Sequence, residues 1–193
     1  MPLISNFPAL ALPTAVRSML LALPAVCLAG ATFAAGGGDS SPPKPTQTTK
    51  ECKVGRIWDE DKKRCVKIKN SSLDQDGLYQ TVRELAYADR LHDAQELLTL
   101  AADQHAGWVL TYWGFTHRKL GNTELANVYY EQAIDADPAN HLARSYMGQG
   151  FVKEGRLGDA LAQWKAIRAT GGTGTWAEAS LRLALETQQT QSY

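Results

Sequence analysis

Cys52 and Cys65, in the stretch ECKVGRIWDEDKKRCVKIK, are the residues whose type and spacing most narrowly define a chemistry. A dithiol redox pair normally sits much closer, as C-x-x-C. A metal site needs about four ligands, and no histidine lies nearby. In an exported chain, which meets an oxidising compartment, the two read as a structural disulfide closing a small hairpin. Gly55 suits a turn, Trp58 can lie against the bridge, and Asp59-Glu60-Asp61-Lys62 reads as the hairpin tip. Closing a loop of this size contributes about 3 kcal/mol through the unfolded chain.

The other reactive types form no constellation. His92, His105, His117 and His141 share no metal spacing, and His117 lies on an apolar helical stripe where packing is the simpler role. No Ser or Cys stands in a nucleophile motif. Gly171-Gly172-Thr173-Gly174 has the look of a phosphate loop, but no Lys follows and no strand precedes it, so it reads as a helix connection. The expectation is a protein that is not an enzyme and holds no cofactor and no metal. Formal net charge is zero with 21% charged residues, which gives no electrostatic case for nucleic acid. The charge is unevenly spread: residues 51–69 carry seven Lys/Arg against four Asp/Glu (+3), and residues 75–193 carry ten against fourteen (−4). A basic module precedes an acidic one.

Residues 1–34 have no acid and one base, Arg17, followed by SMLLALPAVCLAGATFA. A positive charge, an apolar run and small residues at its end are the pattern of a secretory signal peptide, cut after Ala31 or near Ala34. An uncleaved anchor is the competing reading, but the run is marginally short for a bilayer span and contains Pro24. Lipidation at Cys27 would want a small residue before it, and Val26 is not one. The mature chain is therefore expected in the periplasm or cell envelope, or secreted, with no membrane span. Residues 35–50, rich in Gly, Pro and Thr, read as a disordered linker, and 51–69 as the Cys hairpin.

What must position any site is a helical pattern. In GWVLTYWGFTHRKLGNTELANVYYEQAIDADPAN, Leu110, Trp113, Gly114 and His117 share one stripe, Gly121-Asn122 break the helix, and Ala126, Tyr130 and Ala133 mark a second helix before Pro138. Residues 141–174 repeat it, with Met147, Gly148, Phe151, Gly155, Ala160, Trp164 and Ile167 in register and Gly172 where Pro138 stood. Residues 75–106 form a weaker copy, in which Val82 replaces the glycine at the helix crossing and Asp89 the turn glycine. Ser72 with Gln75 offers a capping box for its first helix. Residues 175–188 read as one more amphipathic helix, able to cap the last unit.

This order of aromatic, small and Pro markers over about 34 residues resembles the tetratricopeptide repeat. The resemblance implies an all-α array of three helix–turn–helix units plus a capping helix over residues 73–188, preceded by the disulfide hairpin. In that family the first helices line a concave face that takes a peptide or partner segment. Here that face would carry Tyr79, Arg83, Tyr87, Trp108, Thr111, Phe115, Lys119, Ser145, Gln149 and Lys153. The expected function is an exported protein-interaction module using this face. Two rival readings are an envelope adaptor whose basic Cys hairpin holds a glycan or anionic surface, and an auxiliary subunit of an envelope assembly or secretion complex.

Overall fold

The computed structural model describes residues 43–190. The expected signal peptide, its cleavage site, Cys27 and the front of the expected linker lie outside the described residues. The described chain is mostly helical. A short helix α1 (Gln47–Glu51) leads into an antiparallel hairpin, β1 (Arg56–Asp59) with β2 (Arg64–Lys67), and then a 3-10 turn, Ile68–Asn70. Seven helices follow: α2 (Gln75–Tyr87), α3 (Leu91–Leu98), α4 (Gly107–Lys119), α5 (Thr123–Ala136), α6 (His141–Lys153), α7 (Leu157–Ala169) and α8 (Trp176–Thr187).

Three of the turns, α2–α3, α4–α5 and α6–α7, are built in the same way. Asp89, Gly121 and Gly155 hold φ of 56°, 88° and 75°. The following N–H reaches back five residues: Arg90 to Leu85, Asn122 to His117, and Arg156 to Phe151, at 2.9, 2.8 and 2.8 Å. This bond satisfies a carbonyl that the helix end would otherwise leave open. Asp89 can stand in for glycine because a short polar side chain tolerates the left-handed region. The first helical pair is nonetheless shorter than its successors. Its second helix stops at Leu98, and the Gln104 amide then donates to the carbonyls of Leu98 and Ala101.

Caps differ from expectation at α2. Asp74, not Ser72, caps the helix by accepting from the Gly77 N–H at 2.8 Å. Gln75 turns instead to the next loop, where its Oε1 accepts from the Ala102 N–H. Asn140 and Thr175 cap α6 and α8 as side-chain acceptors.

The two expected crossing glycines serve different partners. A Cβ on Gly114 would lie 2.5 Å from the Tyr130 ring, so α4 and α5 cross there. A Cβ on Gly148 would lie 2.6 Å from Leu181, so this glycine admits α8 rather than α7. Trp164, at the position equivalent to Tyr130, is half-buried and donates its Nε1–H to Glu178 of α8 at 2.8 Å. Gly172 is where the chain turns toward α8: a Cβ there would collide with Ile167 and the His141 ring, at 2.5 and 2.9 Å.

The Cys hairpin is not a separate appendage. Ile57, Val66 and Ile68 are buried in the same apolar core as Leu85, Leu97 and Leu98. The Arg90 guanidinium, in the α2–α3 turn, donates to the carbonyls of Thr48, Cys52, Lys53 and Arg56 at 2.8–3.1 Å. Asp93 holds that guanidinium, accepting from Arg90 Nε at 2.8 Å, and also accepts from the Gly55 N–H at 2.9 Å. Glu84 accepts from the N–H and hydroxyl of both Thr46 and Thr49. The back of the expected linker is thereby a structured turn of helix. Cys52 and Cys65 are joined, with their Cα atoms 5.6 Å apart.

Two outcomes follow from this docking. Arg90→Ala leaves four carbonyls without their donor and Asp93 without its cation. It should cost about 3 kcal/mol and lower the midpoint of helix melting by roughly 10 °C. Reducing the disulfide should also lower that midpoint, since the hairpin belongs to the core; unchanged melting in both cases would mean that the hairpin folds apart from the helices. Separately, Gly148→Leu should be destabilised by roughly 1–3 kcal/mol through the clash with Leu181, and the smaller Leu181→Ala should restore part of that loss in the double variant.

Candidate functional site

The first helices of the three pairs lie side by side, and an unbroken series of aromatic rings crosses them. Tyr79 of α2 meets Trp108 and Tyr112 of α4 edge-on, with centroids 5.5 and 6.1 Å apart. Tyr87 packs on Phe115 at 5.4 Å, Phe115 on Tyr146 at 4.8 Å, and Tyr146 on Trp176 of α8 at 6.0 Å. The hydroxyls of Tyr87 and Tyr146 are hydrogen-bonded. Edge-on packing suits the ring quadrupole, so the series is a ridge of mutual contacts.

That ridge sorts the residues expected on the concave face. Arg83, Thr111, Phe115, Ser145 and Gln149 are buried, at 4, 1, 5, 0 and 0% exposure. Arg83, expected on a solvent-facing edge and dispensable for folding, is thus an interior residue. Thr111 donates to the Gly107 carbonyl and accepts from the Asn140 amide, so it joins α4 to the start of α6. Gln149 donates to Ser180, joining α6 to α8. The cause is coverage by neighbouring elements: α6 packs beside α4, α8 covers α6, and the segment around residues 43–48 closes over α2 near Arg83. Tyr79, Tyr87 and Trp108 are half-buried at the surface of the core. Lys119 pairs with Asp89 at 2.8 Å, and Lys153 is exposed.

Burial also sets the protonation of the phenols. Loss of solvent pushes Tyr87 and Tyr130 up to about 12 and raises Tyr112 and Tyr146 well above the ordinary 10.0. His117 stacks on Trp113 and Tyr129, at 5.8 and 5.5 Å, and desolvation lowers its pKa. It is a packing residue, as its place on the apolar stripe implied. Among the described residues, no group of three or more His, Cys, Asp or Glu is placed to hold a metal ion.

A second concavity was not foreseen. It lies where the segment 43–48 and the hairpin approach α2, with a volume of about 420 Å³. Leu73 and the Trp58 ring contribute apolar wall, and Gln80, Thr81 and Arg83 come from α2. The two carboxylates lining it have partners: Glu84 has the four donors of Thr46 and Thr49, and Glu60 pairs with Lys63 at 2.9 Å. Lys63, and after it the Trp58 indole, hold the Glu60 carboxyl below its ordinary range. The Trp58 Nε1–H is itself buried without a well-formed hydrogen bond. The sequence offers Trp58 as packing for the disulfide and, among Arg56, Lys62, Lys63 and Arg64, as the support for a hairpin that holds a glycan or anionic surface. Its place in this concavity depends on α1, in a stretch whose composition reads as linker.

No protein-family profile, curated protein or solved structure matches the chain. Among the described residues, no helix is long and apolar enough to cross a membrane.

The phenols supply a direct check on this interior. A raised folded-state pKa means that the folded state favours the neutral phenol. That contribution to stability is complete below pH 10 and is lost as pH rises toward 12. Phenolate absorbance should show Tyr87, Tyr112, Tyr130 and Tyr146 ionising only with alkaline unfolding. Ionisation of all the tyrosines near pH 10, with helix intact, would show the ridge to be open to solvent.

Proposed function

We propose that the chain is an exported, non-enzymatic interaction module of the tetratricopeptide type, which holds a protein or peptide segment across its first helices. The observation that carries this reading is the half-buried aromatic set Tyr79, Tyr87 and Trp108 on the first helices, with the paired Lys119 and the exposed Lys153 at the ends of α4 and α6. Large rigid side chains of this kind supply most of the binding energy at interfaces, and bases at the rim orient the partner. The repeat reading is supported by α4 and α6 opening at Gly107 and His141, 34 positions apart, and by the matched turns after both helices. The Cys52–Cys65 bridge fits an oxidising compartment such as the periplasm or envelope. Burial of Arg83, Thr111, Phe115 and Gln149 narrows the contact set to Tyr79, Tyr87, Trp108, Lys119 and Lys153.

One observation favours a second reading, the auxiliary subunit. Leu125 and Val128 of α5 and Leu157 and Leu161 of α7 are 38–45% exposed, on the second helices and away from the aromatic ridge. A permanent partner covering them would leave the isolated chain prone to self-association.

Crosslinking of the mature chain in the envelope fraction separates these readings. In the favoured one, Trp108→Ala with Tyr79→Ala keeps its helicity, dissociates faster from the captured partner and loses about 2 kcal/mol or more of binding. Lys119→Glu with Lys153→Glu should slow association, an effect that fades at high salt. Full capture by the aromatic double variant, with loss on Leu125→Asp, would move the contact to the second helices.

A further inference from the structure

We propose that the cleft between the hairpin and α2 is a sugar-binding site, taking one or two rings of a neutral glycan. The lining is charge-balanced: Lys44 and Arg83 stand against Glu60 and Glu84. It therefore has no net preference for an ion. What it offers is a mixture of donors and acceptors over an apolar strip. The Trp58 Nε1–H is buried and turned to the Glu60 carboxylate, so the polar groups open to a ligand are those of α2. The Gln80 amide both donates and accepts, and Thr81, whose hydroxyl proton goes to the Gly77 carbonyl, retains lone pairs. Leu73 and the indole ring supply apolar surface for the C–H face of a pyranose. A ligand with several hydroxyls, each donating and accepting, and with one apolar face, matches that set. The volume of about 420 Å³ lies within the usual range for a small-molecule pocket.

An extended peptide fits less well. A strand added here would have to bond the free edge of β1, but the Trp58 backbone N–H on that edge already donates to the Thr48 hydroxyl at 3.1 Å. The proposal does not rest on the aromatic ridge of α2 and α4. The two stand or fall separately, because Gln80 and Trp58 take no part in that ridge.

The test follows the indole N–H of Trp58 in a proton–nitrogen correlation spectrum of the mature chain, assigned with Trp58→Phe. The soluble probes are cellobiose and N,N′-diacetylchitobiose; the polymers are cellulose and purified peptidoglycan, assayed by co-sedimentation. An uncharged peptide, acetyl-Ala-Gln-Ala-Thr-amide, is the comparison. A saturable shift of the Trp58 resonance with a disaccharide supports a site for free sugar. Retention on a polymer alone supports a glycan surface as the source. In either case Gln80→Ala, an exposed position whose loss leaves the hairpin intact, should weaken binding about tenfold. The proposal is overturned if no sugar or polymer binds, if Gln80→Ala and Trp58→Phe bind as the parent does, or if only the peptide moves the Trp58 resonance.

Discussion

The structure depends most on one guanidinium, that of Arg90. It sits in the turn between α2 and α3, and its donors end on four carbonyls of the segment that precedes and enters the hairpin. A planar cation with five donors is suited to gathering backbone carbonyls that no strand or helix satisfies. Asp93 keeps it oriented and takes the Gly55 N–H as well. Without this node the carbonyls of Thr48 and Cys52, in the part-buried turn that leads into the hairpin, would lose this donor, a cost that hydrophobic burial of Ile57 and Ile68 would have to offset. The disulfide limits the hairpin's unfolded freedom, while Arg90 and Glu84 fix where the hairpin sits.

From that fixed end the helices propagate by contacts between neighbours. Each first helix packs on its own second helix and on the next first helix, so an aromatic at the seam touches two units at once. Phe115 lies between Tyr87 and Tyr146, and the hydroxyls of those two tyrosines meet across it. Stacked helical pairs bury a continuous core only through such seams. The same seams consume surface. Side chains that the tetratricopeptide resemblance would leave facing a groove are taken up by the next helix or by α8, as Gln149 is by Ser180. What remains open is the aromatic fringe of Tyr79, Tyr87 and Trp108, and the cleft where the hairpin falls short of α2.

Much of the helical architecture was legible in the residues, because it rests on local chemistry. The stripe of Leu110, Gly114 and His117 and the glycines at 121 and 155 specify helix and stop within a few positions of one another. The tight crossing at Gly114 was legible for the same reason, since glycine has no Cβ to hold two backbones apart. The partner of Gly148 was not legible. Whether α7 or α8 fills that space depends on how the chain leaves α7, and this turns on the collision that any Cβ at Gly172 would make with Ile167 and His141.

The sequence alone thus determined the order of α2 to α8, the turns within the helical pairs and the pair of cysteines, each set by backbone preference or by oxidation in its own neighbourhood. Tertiary structure decided where charge and polarity are kept. Arg83 occupies a helix position that periodicity would leave facing outward, yet it is interior because segments distant in the chain close over α2. Thr46 and Thr49 read as linker residues, yet a buried Glu84 more than thirty positions away holds them in a helical turn. Periodicity reports which side chains share a face of one element. It carries no term for which other element will cover that face, and at Arg83, Glu84 and Trp58 that covering element set the outcome.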